Sequence, residues 1–334
     1  MESRIRERYS ERILEEALER FGGADAELLD GFENYMYEYT RLENRSILRI
    51  GHSIRRSEAL IRGEVDWINY LARGGASVAR AVLSERGGLV EAIDDGHGGR
   101  FLATSFIRAE GVSPARYGWT PNLVQAYGEL IGTMHTLSLD YDPGSPEWRR
   151  PHWDDPLMLD VERFLPEQET GVREAYHELL GRLEALPRDY NSYGLIHQDA
   201  HGGNFLVDEG ERITLFDFDD CVYCWYAFDI AMVLFYRVCN ESDPEGLARA
   251  FLPDFLAGYR RRAELDPEWL HWIPDFLTLR EIDLYALLHR SFDVEHIEDP
   301  WCARYMDGRS ARIASRRPFL DIDVGEFVDV AGPS

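Results

Sequence analysis

The chain has 334 residues, of which 45% are apolar and 12% aromatic, a composition typical of a globular protein long enough for two packed lobes. Its net charge of −25, from 61 acidic and 36 basic residues, disfavours nucleic acid and anionic membranes as partners, because both bind basic surfaces. The same charge would suit a cationic substrate, or simply aid solubility. All 36 basic residues are arginine, and the sequence contains no lysine.

The first 22 residues alternate Glu and Arg at helical spacing and end at Gly22-Gly23, which predicts a solvated amphipathic helix. A transit peptide would be poor in acids and a signal peptide would need an apolar core, so the sequence indicates a cytoplasmic protein. No apolar run approaches the roughly 18 residues that a membrane span requires.

The following stretch, to about residue 106, predicts an antiparallel sheet with one packed helix. The helix opens at Ser57 and continues to about Ala72, with apolar residues on one face. The predicted strands are Ala26–Leu29, Tyr35–Thr40, Ser46–Ile50, Val90–Asp94 and Arg100–Phe106.

After Ile107 the pattern becomes mostly helical. We predict a helix over Pro121–Leu139, one or two more within residues 154–186, and a helical stretch from Ala227 to about Leu288. The proposed domain boundary separates residues 1–106 from residues 107–334, and the fold class is α+β.

The stretch LIHQDAHGGNFLVDEGERITLFDFDD, residues 195–220, interrupts the helices and predicts a short hairpin across Glu209-Gly210. In this hairpin Asn204 would fall almost opposite Leu215, so that Asp217 emerges within a residue or two of Asn204. A carboxylate and an amide oxygen at one place suit Mg²⁺ beside a polyphosphate. Asp199, on the loop entering the hairpin, could orient an acceptor hydroxyl or accept its proton.

The pattern H-x-D-x-x-x-x-N, followed by D-F-x, coincides with the catalytic and metal elements of kinases. The segments IHQDAHGGNFLVD and LFDFDD closely resemble the aminoglycoside phosphotransferase and choline kinase-like family, whose loop commonly reads HGDxHxGN and whose metal motif reads IDFxD. The order of elements resembles that family over nearly the whole chain. The resemblance implies a protein-kinase-like, two-lobed α+β fold, with a small antiparallel-sheet N-lobe and a large, mostly helical C-lobe.

Carried over position by position, the resemblance makes Asp199 the catalytic aspartate and Asn204 and Asp217 the Mg²⁺ ligands. His197 resembles the histidine that braces the loop, and His201 either braces the loop or touches substrate or phosphate. Two further aspartates have supporting roles: Asp219 beside the metal motif, and Asp229, which we expect to cap its helix and brace the catalytic loop.

The resemblance also implies a nucleotide site in the N-lobe. Gly31-Phe32-Glu33-Asn34 is similar to the phosphate-covering loop, with Gly31 and Asn34 as contacts, and the backbone of Thr104, Ser105 and Phe106 is expected to contact adenine. Kinases place a lysine on the third strand, paired with a glutamate on the next helix. Here that strand offers Arg49, whose expected partner is Glu64, with Glu58 as the alternative.

Several other side chains allow two interpretations. Asp154, Asp155, Asp160 and Glu295 either line the pocket of a cationic acceptor or belong to a solvated helical face. Tyr223, Trp225 and Tyr226 either stack on a cation or, as we favour, pack in the core. Cys221 and Cys224 have the spacing of half a zinc site, but no second pair completes it, so we interpret them as buried apolar residues.

The function implied is a phosphotransferase that uses ATP and Mg²⁺ to phosphorylate a hydroxyl of a small metabolite, with a cationic or aminoglycoside-like compound as the candidate acceptor. One alternative is a protein Ser/Thr kinase resembling the stress response kinases. Another, motivated by Arg49 in place of lysine, is a non-catalytic nucleotide-binding regulatory module. The sequence does not distinguish ATP from GTP, name the acceptor or give the oligomeric state, and it predicts neither a nucleic-acid nor a membrane partner.

Overall fold

The computed structural model describes residues 3–29, 31, 33–158 and 160–327, and the chain divides into two compact units. The first unit contains the described residues up to Gly111 together with Tyr141–Arg150 and Thr214–Asp219. The second contains Val112–Asp140, Pro151–Ile213 and the described residues from Asp220 onward. Within the described part of the chain, no helix has both the length and the apolar character needed to cross a membrane.

The first unit is an antiparallel sheet with a helix on each face. Strand order is β1-β2-β3-β6-β4, and β5 also pairs with β6. The elements are α1 (Ser3–Arg6), α2 (Glu11–Phe21), β1 (Gly23–Leu29), β2 (Tyr35–Arg41), β3 (Asn44–His52), α3 (Glu58–Arg73), β4 (Ala81–Val82), β5 (Glu91–Asp94) and β6 (Arg100–Ile107).

The alternation of side chains along the strands decides which helix each face receives. Ile13, Ala17 and Phe21, one turn apart on α2, pack against Leu48 and other residues of one sheet face. Ile61 and Val65 of α3 pack against Leu102 on the opposite face. Since Arg49 follows Leu48 directly, it points to the α3 side of the sheet.

Two later segments join the first unit through backbone hydrogen bonds and one buried arginine. The Leu215 backbone donates to the Ser77 carbonyl (3.0 Å) and accepts from the Ala79 amide (2.8 Å). Arg150 donates to the Leu60 carbonyl (2.9 Å) and to the backbone carbonyl of Asp219 (2.7 Å). The metal motif predicted from the sequence is therefore held against α3.

The second unit is mostly helical. Strand β9 (Ile213–Leu215) begins in this unit at Ile213, and its other two residues belong to the first unit. The remaining elements are α4 (Pro114–Tyr117), α5 (Pro121–Ser138), α6 (Val161–Phe164), α7 (Thr170–Leu183), β7 (Tyr193–Ile196), β8 (Phe205–Val207), β10 (Val222–Trp225), α8 (Tyr226–Val238), α9 (Pro244–Tyr259), α10 (Ile273–Ser291), α11 (Pro300–Met306) and α12 (Arg309–Ala314). Strands β8 and β9 form the predicted hairpin, and β7 pairs antiparallel with β10.

The structure differs from the sequence-based elements in three places. The N-terminal helix is two helices, α1 and α2. The short strands β4 and β10 were not predicted, because runs of two to four residues carry too little periodicity. The helical stretch beyond Ala227 is three helices, of which α9 begins with Pro244, a residue well suited to a first helical turn.

Helices α5 and α9 approach each other at glycines. A Cβ added at Gly128 of α5 would lie 2.0 Å from the Phe255 carbonyl oxygen, and one added at Gly258 of α9 would lie 1.9 Å from the Gln125 carbonyl oxygen. The two backbones therefore touch directly. This crossing holds Tyr127, His135 and Tyr259, three buried side chains beside the predicted catalytic loop.

We expect Gly258→Ala to lower the free energy of unfolding by about 3 kcal/mol, because the added methyl meets backbone that cannot move aside. Gly181→Ala, on α7, is the matched control: no atom lies within 4 Å of its added Cβ. That control should be neutral or more stable by about 0.5–1 kcal/mol. Urea denaturation of both variants measures the difference, and equal stabilities would contradict the close crossing.

Candidate active site

The predicted catalytic loop, residues 197–204, follows β7 and is held by the buried carboxylate of Asp229. Asp229 Oδ2 accepts from the His197 amide (3.0 Å) and Oδ1 from the Gln198 amide (2.8 Å). Gln198 has φ of 69°, a left-handed conformation that a non-glycine residue rarely adopts. Two hydrogen bonds to one carboxylate thus fix a backbone conformation that is otherwise unfavourable.

Asp229 lies in the first turn of α8, but the N-cap is Trp225, so the prediction that Asp229 caps its helix is wrong. The Asp229 carboxylate instead accepts hydrogen bonds from the loop backbone, and His135 contacts the same carboxylate. His135 Nε2 lies 3.1 Å from Asp229 Oδ2, and His135 Nδ1 lies 2.8 Å from the Tyr259 hydroxyl. Tyr259 of α9 and His135 of α5 therefore link the α5–α9 crossing to the carboxylate that holds the loop.

Both carboxylate oxygens of Asp199 have partners. Oδ1 accepts from Arg280 Nη2 (3.2 Å), and Oδ2 accepts from Asn204 Nδ2 (3.2 Å) and lies 3.5 Å from His201 Nε2. Burial alone would raise the pKa of Asp199, but the interactions with His201 and with the guanidinium of Arg280 outweigh it and lower the pKa to about 2. Asp199 is thus an ionised, oriented acceptor that remains partly exposed, with 22% of its side chain accessible.

Arg280, on α10, is a site residue that the sequence did not reveal. It is 8% exposed, donates to the Tyr236 hydroxyl as well as to Asp199, and its guanidinium carbon lies 5.2 Å from the centroid of the Tyr236 ring. It stands 81 positions after Asp199, outside any motif. Only the packing of α10 against α8 brings it to the loop.

His201 serves the loop in two ways. Its Nδ1 accepts from the Gly203 amide (2.8 Å), which leaves Nε2 as the protonated nitrogen, facing Asp199. His197, fully buried, accepts from the Asp199 amide at Nδ1 (3.3 Å). Both histidines therefore brace the loop by accepting from its backbone.

The Asn204 amide is arranged to leave its oxygen for a cation. Nδ2 donates to the Asp199 carbonyl (2.9 Å) and carboxylate, so Oδ1 is the free end of the group. In the first unit, Asp217 has φ of 65°, again a left-handed conformation at a residue with a side chain. An amide oxygen and a carboxylate of this kind fit Mg²⁺.

Arg49 pairs with Glu64, not with Glu58. Arg49 Nη1 and Nη2 donate to the two carboxylate oxygens at 2.7 Å each, and the two residues are 5% and 0% exposed. Burial opposes the charge of Arg49, yet Glu64 outweighs it and the pKa of Arg49 is raised. Glu58 is engaged near the surface by Arg62 (2.7 Å) and Arg100 (3.4 Å).

Asp219, in the metal motif, is surrounded by arginines. Its carboxylate contacts Arg55 and lies 3.9 Å from Arg56, while Arg150 holds its carbonyl. Burial opposes ionisation, but Arg55, Arg49 and Arg56 hold the pKa of Asp219 well below its usual range. Asp219 is therefore a fixed negative charge that gathers guanidinium groups.

Ser105 and Phe106, whose backbone was predicted to contact adenine, lie inside the sheet. On one edge of β6 these residues pair with Leu48 and Ile47 of β3, and on the other with Val82 and Ala81 of β4. Their backbone groups are consumed by the sheet. Thr104 lies opposite Arg49, and its hydroxyl is buried with no partner among the described residues. The chain leaves the sheet after Ile107, which donates to the Arg80 carbonyl (3.0 Å).

The predicted phosphate-covering loop is described in part. Phe32 lies outside the described residues. Gly31 has the Asn34 carbonyl oxygen 2.5 Å from where a Cβ would be, so a side chain would not fit there. Glu33 forms an ion pair with Arg55, and the Asn34 amide oxygen lies beside Gly51 of β3.

The four acidic residues that could either line a cation pocket or belong to a solvated face have these surroundings. Asp154 pairs with Arg188 (2.8 Å), Asp155 accepts from the Leu157 amide (2.9 Å), Asp160 caps α6, and Glu295 is exposed. The sequence missed Asp283, one turn after Arg280 on α10. Among the described residues, Asp283 has no hydrogen-bond or ion-pair partner, and burial raises its pKa to about 7 against the opposing charge of Arg280.

The remaining candidates are structural. Tyr223, Trp225 and Tyr226 are 8%, 0% and 5% exposed, as expected of core residues. Cys221 and Cys224 are buried, and neither forms a disulfide with another described residue. In the parts of the chain that the structure describes, no group of three or more His, Cys, Asp or Glu side chains could hold a metal ion.

The family model of the phosphotransferase enzyme family matches residues 26–268, which is well over half of the chain. The chain belongs to this family. Amicoumacin kinase of Bacillus subtilis (strain 168) is 39% identical over 295 residues, covering 86% of this chain and 88% of that protein. These matches confirm the predicted enzyme class, a phosphotransferase.

Solved structures confirm the predicted kinase-like α+β fold. The amicoumacin kinase hAmiN, in complex with AMP-PNP, Ca²⁺ and Ami, has a TM-score of 0.93 and 36% identity, covering 98% of this chain and 100% of that one. A microcompartment-associated aminopropanol kinase has a TM-score of 0.73 at 24% identity, covering 92% and 96%, and shows likeness of fold. The predicted nucleotide and divalent cation agree with the ligands named for hAmiN.

We expect Glu64→Gln to lower the free energy of unfolding by about 3–5 kcal/mol, because Arg49 would stay buried without its counter-charge. Glu58→Gln is the control on the same helix, and removal of its exposed ion pairs should cost less than about 1 kcal/mol. Chemical denaturation of the two variants tests this. A loss of less than about 1 kcal/mol in the free energy of unfolding of Glu64→Gln would contradict a buried ion pair.

Proposed function

We propose that this protein transfers the γ-phosphate of ATP to a hydroxyl group of a small, amine-bearing acceptor. The observation that carries the proposal is the geometry of Asp199, an ionised carboxylate held on both oxygens by Arg280 and Asn204. The family match and the 39% identity to amicoumacin kinase support the same chemistry. Amicoumacin is therefore the first acceptor to test.

Each residue has a proposed task. Asn204 Oδ1 and the Asp217 carboxylate would hold Mg²⁺, which supplies charge neutralisation on the phosphates. Asp199 orients the acceptor hydroxyl and receives its proton as transfer proceeds. A carboxylate with a pKa near 2 is a weak base, so its main contribution is orientation, which suits the loose transition state of phosphoryl transfer.

Arg49 supports a working enzyme in preference to a non-catalytic module. Its bidentate pair with Glu64 supplies the same ion pair, between the third strand and the next helix, that kinases make with lysine. GTP as the donor and a polypeptide as the acceptor are outcomes that the assays below distinguish.

The net charge of −25 supports the absence of nucleic-acid and membrane partners, as the sequence predicted. We also propose that the protein is cytoplasmic. We propose further that a boundary near residue 106 separates a nucleotide-binding lobe from an acceptor-binding lobe.

We expect Asp199→Asn to reduce kcat for amicoumacin phosphorylation by at least about a thousandfold while the protein keeps its fold, because the amide can neither orient the hydroxyl as an anion does nor take its proton. Asp208→Asn, on the β8–β9 turn, is the matched control and should keep full turnover. The measurement is nucleotide consumption with amicoumacin, with protein substrates, and with ATP or GTP. Full turnover by Asp199→Asn would contradict the proposed role.

We propose that Asp283 receives the ammonium group of the acceptor, because it is a partly buried carboxylate without a partner among the described residues, one helical turn from Arg280. Asp283→Asn should raise KM for an amine-bearing acceptor about tenfold or more, with a smaller change in kcat. Since the carboxyl ionises near pH 7, KM of the unmodified enzyme should fall as pH rises through about 7. An N-acetylated acceptor is the control, and an equal effect on it would contradict ammonium recognition.

A further inference from the structure

The guanidinium of Arg49 is largely committed to structural contacts. Both terminal nitrogens donate to Glu64 at 2.7 Å, and the Phe106 ring lies against the group at 5.1 Å. Only 6% of the Arg49 side chain is accessible. A lysine ammonium would give one donor to the glutamate and could rotate to direct the other two at phosphate. The planar guanidinium of Arg49, held at both terminal nitrogens by Glu64, cannot rotate in this way.

A second arginine stands in the same unit, with greater access. Arg55 lies in the turn after β3, where its amide donates to the His52 carbonyl (2.9 Å). His52 is itself fixed, since its Nδ1 accepts from the Ile54 amide (3.1 Å) and its Nε2 lies 3.1 Å from Asp95. The backbone that carries Arg55 is therefore held from two directions, and 14% of the Arg55 side chain is accessible.

Arg55 joins the predicted phosphate-covering loop to the predicted metal motif. One terminal nitrogen contacts the Glu33 carboxylate and the other contacts Asp219, two positions after the proposed metal ligand Asp217. Glu33 is the more accessible of these partners, with 24% of its side chain exposed against 9% for Asp219. Asp219 is also engaged by Arg56 and Arg150, so Glu33 is the partner that an incoming anion can replace more easily.

We propose that Arg55 is a phosphate-binding residue of the nucleotide site, and that the terminal phosphates of the nucleotide replace Glu33 on its guanidinium. The inference rests on the proposed ATP-dependent function. Phosphate oxygens accept charge-assisted hydrogen bonds from a guanidinium as carboxylate oxygens do, so a phosphate can take the place of Glu33 on the same terminal nitrogen. Asp219 anchors the other side of Arg55 throughout, and Glu33 holds the side chain in place until the nucleotide arrives.

The test is a binding series that needs no acceptor and no turnover. Isothermal titration calorimetry of the full chain with adenosine, ADP and Mg²⁺–AMP-PNP compares the unmodified protein with Arg55→Met. We expect Arg55→Met to weaken Mg²⁺–AMP-PNP binding at least about tenfold, and adenosine binding not at all, because the lost contact is to phosphate. The affinity for ADP shows whether the β- or the γ-phosphate is the partner.

Three further variants sharpen the result. Arg55→Lys should retain part of the affinity, and Glu33→Gln should tighten Mg²⁺–AMP-PNP binding a few-fold, because no carboxylate then competes. Arg45→Met, which removes an exposed arginine paired with Glu38 at 2.7 Å in the same sheet, should change nothing. Glu33→Gln also reports on Arg55 should Arg55→Met fail to fold.

Equal losses for adenosine and Mg²⁺–AMP-PNP in Arg55→Met would overturn the inference, as would unchanged affinities in both Arg55→Met and Glu33→Gln. These results differ from a failure of the proposed function itself. In that case neither the unmodified protein nor the position-55 variants would bind adenosine, ADP or Mg²⁺–AMP-PNP.

Discussion

The carboxylate of Asp229 is the interaction on which the catalytic loop depends. It accepts two backbone hydrogen bonds, from His197 and Gln198, and so holds the left-handed residue Gln198 directly before Asp199, the proposed catalytic aspartate. His135 orients this carboxylate, and Tyr259 orients His135. Because Asp229 is fully buried, each lost hydrogen bond would leave an unsatisfied charge or amide, which makes the conformation of the loop a consequence of core packing.

The absence of lysine gives the site its electrostatic character. Every position that needs a cation receives a guanidinium, which is planar, always charged and able to bind two partners at once. Arg49 binds Glu64, Arg280 binds Asp199 and Tyr236, and Arg150 ties α3 to the metal motif. Each of these groups is both a charge and a brace, so the arginines fix the acidic residues in place as well as neutralising them.

The prediction of the fold rested on local signals, and its errors have local causes. Period-two alternation located β2, β3, β5 and β6, and helical periodicity located α3 and α5. The backbone of Ser105 and Phe106 was expected to meet adenine from the family resemblance, and β4, which is only two residues long, was not predicted beside it. Once β4 pairs with β6, those backbone groups have partners. Asp229 was expected to be an N-cap because it stands near a helix start, yet the helix begins three residues earlier, at Tyr226.

The sequence by itself determined the chemistry of the loop: its residue types, their spacing within 23 positions from His197 to Asp219, and the resemblance that named a phosphotransferase. Short spacing suffices there because a loop and a hairpin allow few arrangements. The tertiary structure decided what comes from afar. It selected Glu64 over Glu58, brought Arg280 to Asp199 across 81 positions, and left Asp283 without a hydrogen-bond or ion-pair partner in the described part of the chain. Such contacts depend on which helix packs on which face, and residue spacing along the chain carries no record of that choice.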